Sequence, residues 1–541
     1  MTELPQQKKS FFRREFIYLL VAVTAVAILG IGIVLQLNPQ PTKLQSADYI
    51  EGLPKDKVTV GILSEISGLY PKIPFDVDSF SMNNNVFEGL TILRNGKLQP
   101  ALAESWTNPD NLTWRVKLRK GVKFHSGNAF TARDVKYTIE GAKKKENQGW
   151  MSSFMASRVD SVEVIDDQTI ELKTKNPDPT LLYWLAYVFI LSEDQVKKDG
   201  LEQAVGTGPY KRVSINENEF VMSANDGYWA GVPRVKNLIY KAFKDEEVLA
   251  QGLETGEADI SIFYKKTYNE TLKNKGFQII SSRSGNISYL GFDTNSKKAK
   301  YVEADKNPFQ DVKVRRAIML ALDVNGILKG GDIEGGALTQ IGTPELIGFN
   351  TQLRRPERNL VEAKKLLAEA GFPDGFTVTL DTFIAAELAG EQIVKQLAEV
   401  GIKVKLNAIS DYDEFIDKLY GDTSFYYFGY IPDTLDSIDF LNTLVHTKDE
   451  KGNGSANFLL YSNAELDSIL DKASTIFDTK ERAKVTMQAH EKAMNQLPLI
   501  PTYTRVGFFA VRNNIAFKPT PFTYIFGFEL SGRQKAADAT Q

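Results

Sequence analysis

The sequence has no cysteine. That single absence removes disulfides, thiolate metal sites, cysteine nucleophiles and thioether-linked lipid. Histidine is nearly missing too. His125, His446 and His490 stand far apart, none with a second histidine at helical ligand spacing, so a metal cluster is disfavoured and no cofactor is expected. No strong charge of either sign builds up: the net charge is −3 and the pI is near 5.9. Such a chain has no basic field to hold a phosphate backbone, which argues against a nucleic-acid partner. Patterns of the G-x-S-x-G, H-E-x-x-H and P-loop types do not occur, and with 68 Asp and Glu residues accidental acid pairs are unavoidable, so carboxylates alone do not argue for catalysis. The chain reads as a non-enzyme.

Long apolar runs are lacking with one exception. Residues 16–37, FIYLLVAVTAVAILGIGIVLQL, carry no charge, and at about 1.5 Å per residue they span roughly 30 Å of hydrocarbon. Lys8, Lys9, Arg13 and Arg14 precede them, so the positive-inside bias predicts a single-pass anchor with residues 1–15 in the cytoplasm and the rest of the chain outside. The alternative is a cleaved signal peptide. Its apolar region usually runs about 7–15 residues, shorter than this one, and the Ala25-Val26-Ala27 triplet lies in the middle of the run. Residues 38–56, with Pro39 and Pro41, have no periodicity and read as a spacer between membrane and domain.

The composition is that of a globular protein, 43% hydrophobic with 25% charged, and 541 residues are enough for about two to four domains. Strand and helix signals alternate without a repeat, which is the pattern of an α/β or mixed protein. Val58, Val60 and Ile62 alternate as a first strand, as do Trp114, Val116 and Leu118; Val162 and Val164 are separated from Ile170 and Leu172 by Asp166-Asp167-Gln168, as in a hairpin. Caps mark helix starts at Thr131 with Asp134, Asn359 with Glu362, Ser462 with Glu465, and Asp478 with Glu481. Twice a helical stripe stops at a glycine, Gly371 and Gly401, and leads into an alternating strand, which predicts a βαβ crossover and a partly parallel sheet. Gly330, Gly331, Gly335 and Gly336 flank an acidic stretch that would repel phosphate, so a flexible loop is expected there. Residues from about Ser531 read as a loose tail.

The segment FYYFGYIPDTLDSIDFL, residues 425–441, packs aromatics around acidic residues and a proline. Two readings are open: a ligand pocket, in which aromatic faces give contact area and a carboxylate pairs with an amine, or a buried strand ending in a Pro-Asp turn.

Several blocks resemble one family. Residues 85–142, from NVFEGL to FTARDVKYTIEGA, are followed by GTGPY (206–210), NDGYW (225–229), LETGEADI (253–260), NPFQDVKVRRA (307–317), AKKLLAEAGFPDGF (363–376) and GIKVKL (401–406). Their order resembles the family 5 solute-binding proteins, the dipeptide, oligopeptide and nickel-binding group of bacterial ABC importers. The resemblance implies a type II periplasmic-binding-protein-like α/β fold: lobe I from residues 57–90, 206–293 and 505–530, an extra lobe from 91–205, lobe II from 294–504, and a tail at 531–541. It further implies that a peptide, more readily an oligopeptide, is captured in the cleft between lobes by a monomer and delivered to ABC permease and ATPase subunits. The alternatives are a surface peptide sensor or chaperone on the same fold, or an importer subunit for another solute such as a nickel chelate or a sugar. In peptide binders of the family an Asp a few residues after an aromatic holds the ligand amine, and Gly429-Tyr430-Ile431-Pro432-Asp433 is similar to that motif, which puts Asp433 on the amine and Tyr430 on the pocket wall. Tyr503 corresponds to cleft-facing tyrosines, and His125, in the K-F-H-x-G turn, to a structural residue. Two departures stand out. No lipobox cysteine is present, so the tether must be protein, and residues 381–392 hold no Arg or Lys for a dipeptide carboxylate.

Overall fold

The computed structural model describes residues 56–66, 68–70, 77–94, 96–144, 151–432, 434–519 and 523–532. The expected anchor at 16–37, the spacer to residue 55, Asp433 and residues 533–541 lie outside these. Among the described residues no helix is long and apolar enough to cross a membrane.

Three sheets organise the chain. In the first, which we call lobe I, Lys57–Ile62 runs parallel to Asn237–Ala242 and Ile260–Phe263. Its central place explains why Thr59 is buried along with Val58, Val60 and Ile62: helices and loops cover both faces. Tyr503–Arg512, arriving from far along the chain, inserts antiparallel between Ile260–Phe263 and Phe277–Arg283. The second sheet, lobe II, contains Thr377–Phe383, Phe425–Tyr430, Leu499–Pro501 and Ile287–Phe292, the last within the stretch to residue 293 that the resemblance gave to lobe I, because it pairs between Phe425–Tyr430 and Leu499–Pro501. Here the predicted crossover is found: Thr377–Phe383 and Lys403–Ile409 pair in parallel around the helix Glu387–Ala398. Gly375 and Gly401 have positive φ and meet back to back, a Cβ on Gly375 falling 2.0 Å from the Gly401 carbonyl oxygen. The third sheet, in the extra lobe, holds Ala103–Asp110, Thr113–Leu118 and the predicted hairpin Ser161–Asp166 with Thr169–Lys173.

The cores are distributed unevenly. Trp114, Val116 and Leu172 of the third sheet belong to the same buried cluster as Val58 and Val60 of lobe I, so the extra lobe has no separate core. Lobe II has its own two. Along Phe425–Tyr430, Phe425 and Tyr427 enter one cluster while Tyr426 enters the other, as alternation across a pleated strand requires.

Lobes I and II are joined by extended segments lying side by side. The chain passes from Arg283 to Ile287 and returns through Thr502, where the Ser284 N–H donates to the Arg505 carbonyl at 3.0 Å and the Thr502 N–H to the Ser288 carbonyl at 2.7 Å. Gly335–Ala337 adds a third strand, paired with Tyr503–Arg512 from Tyr503 to Arg505. The expected glycine loop is therefore, at these residues, a hinge strand. A Cβ on Gly335 would sit 2.3 Å from the Thr504 carbonyl oxygen, so close backbone approach accounts for that glycine.

Helix starts follow their caps, with one shift. Thr131 and Asp134 form the predicted capping box, Asn359 accepts from Glu362 N at 3.0 Å, and Asp478 accepts from the N–H groups of Lys480 and Glu481. The helix Ala464–Ala473 is capped by Asn463, which accepts from Leu466 N at 3.0 Å. Ser462 turns away to bond Thr447 at 2.9 Å. Ser531–Gly532, expected in the tail, pairs with Ile515–Ala516.

Candidate ligand-binding site

A cavity of about 550 Å³ lies between the lobes. From lobe I the helix Val77–Val86 brings Val77 and Phe80, and from the extra lobe the short turn Leu185–Tyr187 brings Tyr187; Tyr524 closes this side. Phe80 stands 4.6 Å from the Tyr187 ring and 4.8 Å from the Tyr524 ring, centroid to centroid. Opposite, lobe II presents Tyr412, Asp413 and Ile416 from the helix Tyr412–Leu419, Phe428 to Tyr430 from the strand Phe425–Tyr430, and Phe458. Rings of Tyr420 and Phe458 lie 5.0 Å apart. Of the described lining residues only Asp413 is charged.

The strand Phe425–Tyr430 explains why a cavity forms here. On one edge it is paired along its whole length with Ile287–Phe292. On the other, Thr377–Phe383 pairs only with Tyr426 and Tyr427, so among the described residues Phe428, Gly429 and Tyr430 carry no strand on that side. Backbone groups at such an edge accept an extended chain. Asn286 lines the same wall, its amide beside Gly429, and its Oδ1 accepts no hydrogen bond among the described residues.

Both readings of residues 425–441 thus hold in part. Phe425, Tyr426 and Tyr427 are buried strand residues, while Phe428 to Pro432 form cavity wall. Tyr430 is on that wall, half-buried, its ring 5.6 Å from Phe440. Asp433 lies outside the described residues, next to Pro432. Tyr503, expected to face the cleft, is fully buried in the lobe II cluster with its ring 6.4 Å from Tyr427. It begins the returning hinge strand and is not on the cavity wall. The sequence reading missed Phe80, Tyr187, Tyr412, Tyr420, Phe458 and Tyr524. Tyr412 and Tyr420, at 52% and 55% exposure, are large rings left in solvent at the cavity, but nothing local in the sequence separates them from other surface tyrosines.

The acidic residues after the strand serve junctions. Asp436, fully buried, receives Arg482 Nε at 2.7 Å; burial raises its pKa and the guanidinium opposes that. Asp439 accepts from Thr434 at 2.8 Å and from Thr180 of the extra lobe at 3.0 Å, with Arg158 of the extra lobe 3.9 Å away. Burial pushes its pKa up to about 6; Arg158 pulls it down, and the Asp178 and Asp436 carboxylates push it further up.

The histidines are structural in placement. His125 bonds the Gly208 carbonyl through Nε2 at 2.9 Å and is held near 4 in pKa by burial. His490 is fully buried, its pKa pushed down to about 3 by desolvation. Among the described residues no three His, Cys, Asp or Glu side chains are grouped to hold a metal ion.

A two-lobed α/β fold with an aromatic cavity between its lobes is the architecture of a solute-binding protein, and the comparisons agree. The profile of the family "Bacterial extracellular solute-binding proteins, family 5 Middle" matches residues 97–452, roughly two-thirds of the chain. The chain belongs to that family. It is similar to the heme-binding protein A of Haemophilus influenzae, 27% identical over 509 residues, covering 86% of this chain and 91% of that protein. It is also similar to the glutathione-binding protein GsiB of Pectobacterium atrosepticum, 28% identical over 466 residues, covering 82% and 88%. Among solved structures, the ABC transporter-associated periplasmic binding protein DppA from Helicobacter pylori, in complex with the peptide STSA, superposes with a TM-score of 0.74 at 24% identity over 88% of this chain and 98% of that one, a likeness of fold.

Proposed function

We propose that this protein is the extracytoplasmic substrate-binding subunit of an ABC importer, that it captures peptides in the interlobe cavity, and that it hands them to membrane permeases driven by ATPase subunits. The observation that carries this reading is the edge of Phe425–Tyr430 at the cavity, where among the described residues Phe428 and Gly429 have no neighbouring strand on the side away from Ile287–Phe292. An extended peptide entering from water must have its backbone groups paired again, since each unpaired buried group costs about 1–3 kcal/mol, and a free strand edge pairs them whatever the side chains are. Relatives that carry heme, glutathione or peptide in their names make peptides one class among several, and the strand edge favours them. In this reading Asp433 holds the ligand amine and Tyr430 forms a wall beside it. Tyr503 belongs to the hinge behind the cavity. The apolar run at 16–37 holds the protein to the membrane with its amino terminus inside; recovery of the chain in the membrane fraction with its first residues intact tests that part.

A mixture of peptides of about two to nine residues is expected to raise the melting temperature of the full-length protein, the stabilisation following RT ln(1 + [L]/Kd), about 2.7 kcal/mol at a hundredfold excess over Kd. The Asp433→Ala variant is expected to lose most of the shift. No shift with any peptide would overturn the proposal.

A further inference from the structure

The strand edge at the cavity sets a spacing as well as a contact. In an antiparallel ladder the N–H and C=O of one residue point to the same side, and successive residues alternate. The Ser288 carbonyl accepts from the Thr502 N–H, away from Phe425–Tyr430, so Gly429, the partner of Ser288, turns its own N–H and C=O to the opposite edge. Tyr427, two residues earlier, has the same phase: its carbonyl accepts from the Thr382 hydroxyl at 3.1 Å on that edge. Gly429 is therefore the residue that offers backbone groups to an extended ligand in the cavity.

Side chains of paired strands share faces. Whichever way the ligand runs, its residue opposite Gly429 projects on the face where the strand has no side chain, and the residues before and after it project on the face of Phe428 and Tyr430. That second face is an aromatic recess. The Phe428 ring lies 5.4 Å from the buried Phe415 ring and 6.1 Å from Phe458, and Tyr420 lies 5.0 Å from Phe458. Ile416, one turn away on the helix Tyr412–Leu419, lines the cavity with them. The Tyr430 ring, 5.6 Å from Phe440, follows two residues along the same face. Rings set against Phe428 and Tyr430 bury area and pair across the strands, whereas a ring set against Gly429 meets no side chain of the strand.

We infer that the cavity selects extended peptides carrying two aromatic side chains separated by one residue, the intervening residue lying opposite Gly429 and the rings opposite Phe428 and Tyr430. The inference rests on the reading that a peptide pairs with this strand edge, and it adds which side chains are read and at what spacing.

The test titrates the full-length protein calorimetrically with four hexapeptides, each of four alanines and two phenylalanines. The phenylalanines stand at the second and fourth positions, the third and fifth, the third and fourth, or the second and fifth. Composition and chain ends are identical, so the differences report side-chain placement alone. The tighter of the two peptides with alternating rings is expected to bind at least about tenfold more tightly than the adjacent-ring peptide or the peptide with rings three apart, the worth of one more buried ring. Tyr420 is 55% exposed, so Tyr420→Ala leaves the fold intact; it is expected to shrink that advantage severalfold. Equal affinity for all four peptides would overturn the inference while the peptide reading stands, and so would an advantage untouched in Tyr420→Ala. Binding of none of the four would remove both.

Discussion

The extra lobe meets its two neighbours by different physics. Against lobe I it shares a hydrophobic cluster, and polar groups are locked into the same junction. Across it the His125 N–H donates to the Gly206 carbonyl at 2.9 Å, the Ile190 N–H to the Glu88 carbonyl at 2.8 Å, and the Arg119 guanidinium lies 3.9 Å over the Trp229 ring; on the lobe I side the buried carboxylate of Glu88 accepts from Thr207 at 2.8 Å, Tyr228 at 2.8 Å and the Trp229 indole at 3.1 Å. Burial raises the Glu88 pKa, and these hydrogen bonds hold it down. Against lobe II the extra lobe places less: the Trp114 ring 5.7 Å from Phe477, and Thr180 and Arg158 at Asp439. A shared core crossed by backbone hydrogen bonds and a guanidinium stacked on an indole is a weld. A carboxylate with two hydroxyl partners and a guanidinium 3.9 Å away is a contact that can part. The extra lobe is therefore expected to move with lobe I, with the extended segments between Arg283 and Ile287 and at Thr502 as the place where lobe II can turn against both.

Five substitutions bear on that contrast. The largest effect is expected beside the weld: Glu88→Ala leaves the Thr207, Tyr228 and Trp229 donors that brace the lobe I side of the junction unpaired and should cost on the order of 3–5 kcal/mol in urea unfolding. If it costs under about 1 kcal/mol, the two junctions are alike and the contrast fails.

The second concerns pH. Asp439 meets Thr180 and Arg158 of the extra lobe, so parting the lobes is expected to admit water to it and to let its pKa fall from about 6 towards the ordinary carboxylate range. The form with the raised pKa binds the proton more tightly. The penalty for burying the charge is thus fully present above about 6, and it is relieved as the pH falls from about 6 towards 3.8, favouring closure by up to about 2–3 kcal/mol. The facing groups are Arg158 and Asp178 of the extra lobe and Asp436 with its partner Arg482. Because the chain has no cysteine, two introduced cysteines can carry spin labels without background, and the distance between lobes should shorten from pH 7 to pH 5. In Asp439→Asn the same distance should be insensitive to pH.

Third, Phe477→Ala removes the ring that faces Trp114 and should shift the lobes towards the open form, weakening ligand affinity by about 1–2 kcal/mol with a smaller loss of global stability. A large stability loss with unchanged affinity would make that contact core rather than interface. Smallest is a substitution inside lobe II that touches no junction: Asn463→Ala should cost about 1 kcal/mol and Ser462→Ala close to nothing, with the lobe distance unchanged in both.

The weld also explains what was legible in the sequence. Glu88, Thr207, Tyr228 and Trp229 come from the blocks NVFEGL, GTGPY and NDGYW and meet on the lobe I side of the junction, which His125 of the K-F-H turn reaches from the extra lobe. The recognisable blocks encode a buried polar cluster at the edge where the two lobes meet. Buried polar contacts demand particular residue types, and that leaves a readable signature. The cavity wall demands only apolar or aromatic surface, which many residues can supply. Hence Tyr430, carried by a motif at the end of a strand, was found on the wall, whereas Tyr503, chosen by the same kind of likeness, lies buried in the hinge.

By itself the sequence determined the strand and helix periods, the caps at Thr131, Asn359 and Asp478, the parallel crossover around Glu387–Ala398, and membership of the family, because these depend on neighbours a few residues apart or on blocks that keep their order. Only the tertiary structure decided that the extra lobe shares its core with lobe I, that Gly335 is a hinge strand residue, and that Phe80, Tyr412, Phe458 and Tyr524 face one space. A phenylalanine in a core and a phenylalanine on a cavity wall are the same residue in the same local pattern. What separates them is whether another part of the chain, here from residue 77 to residue 524, comes to cover the ring or stops short of it.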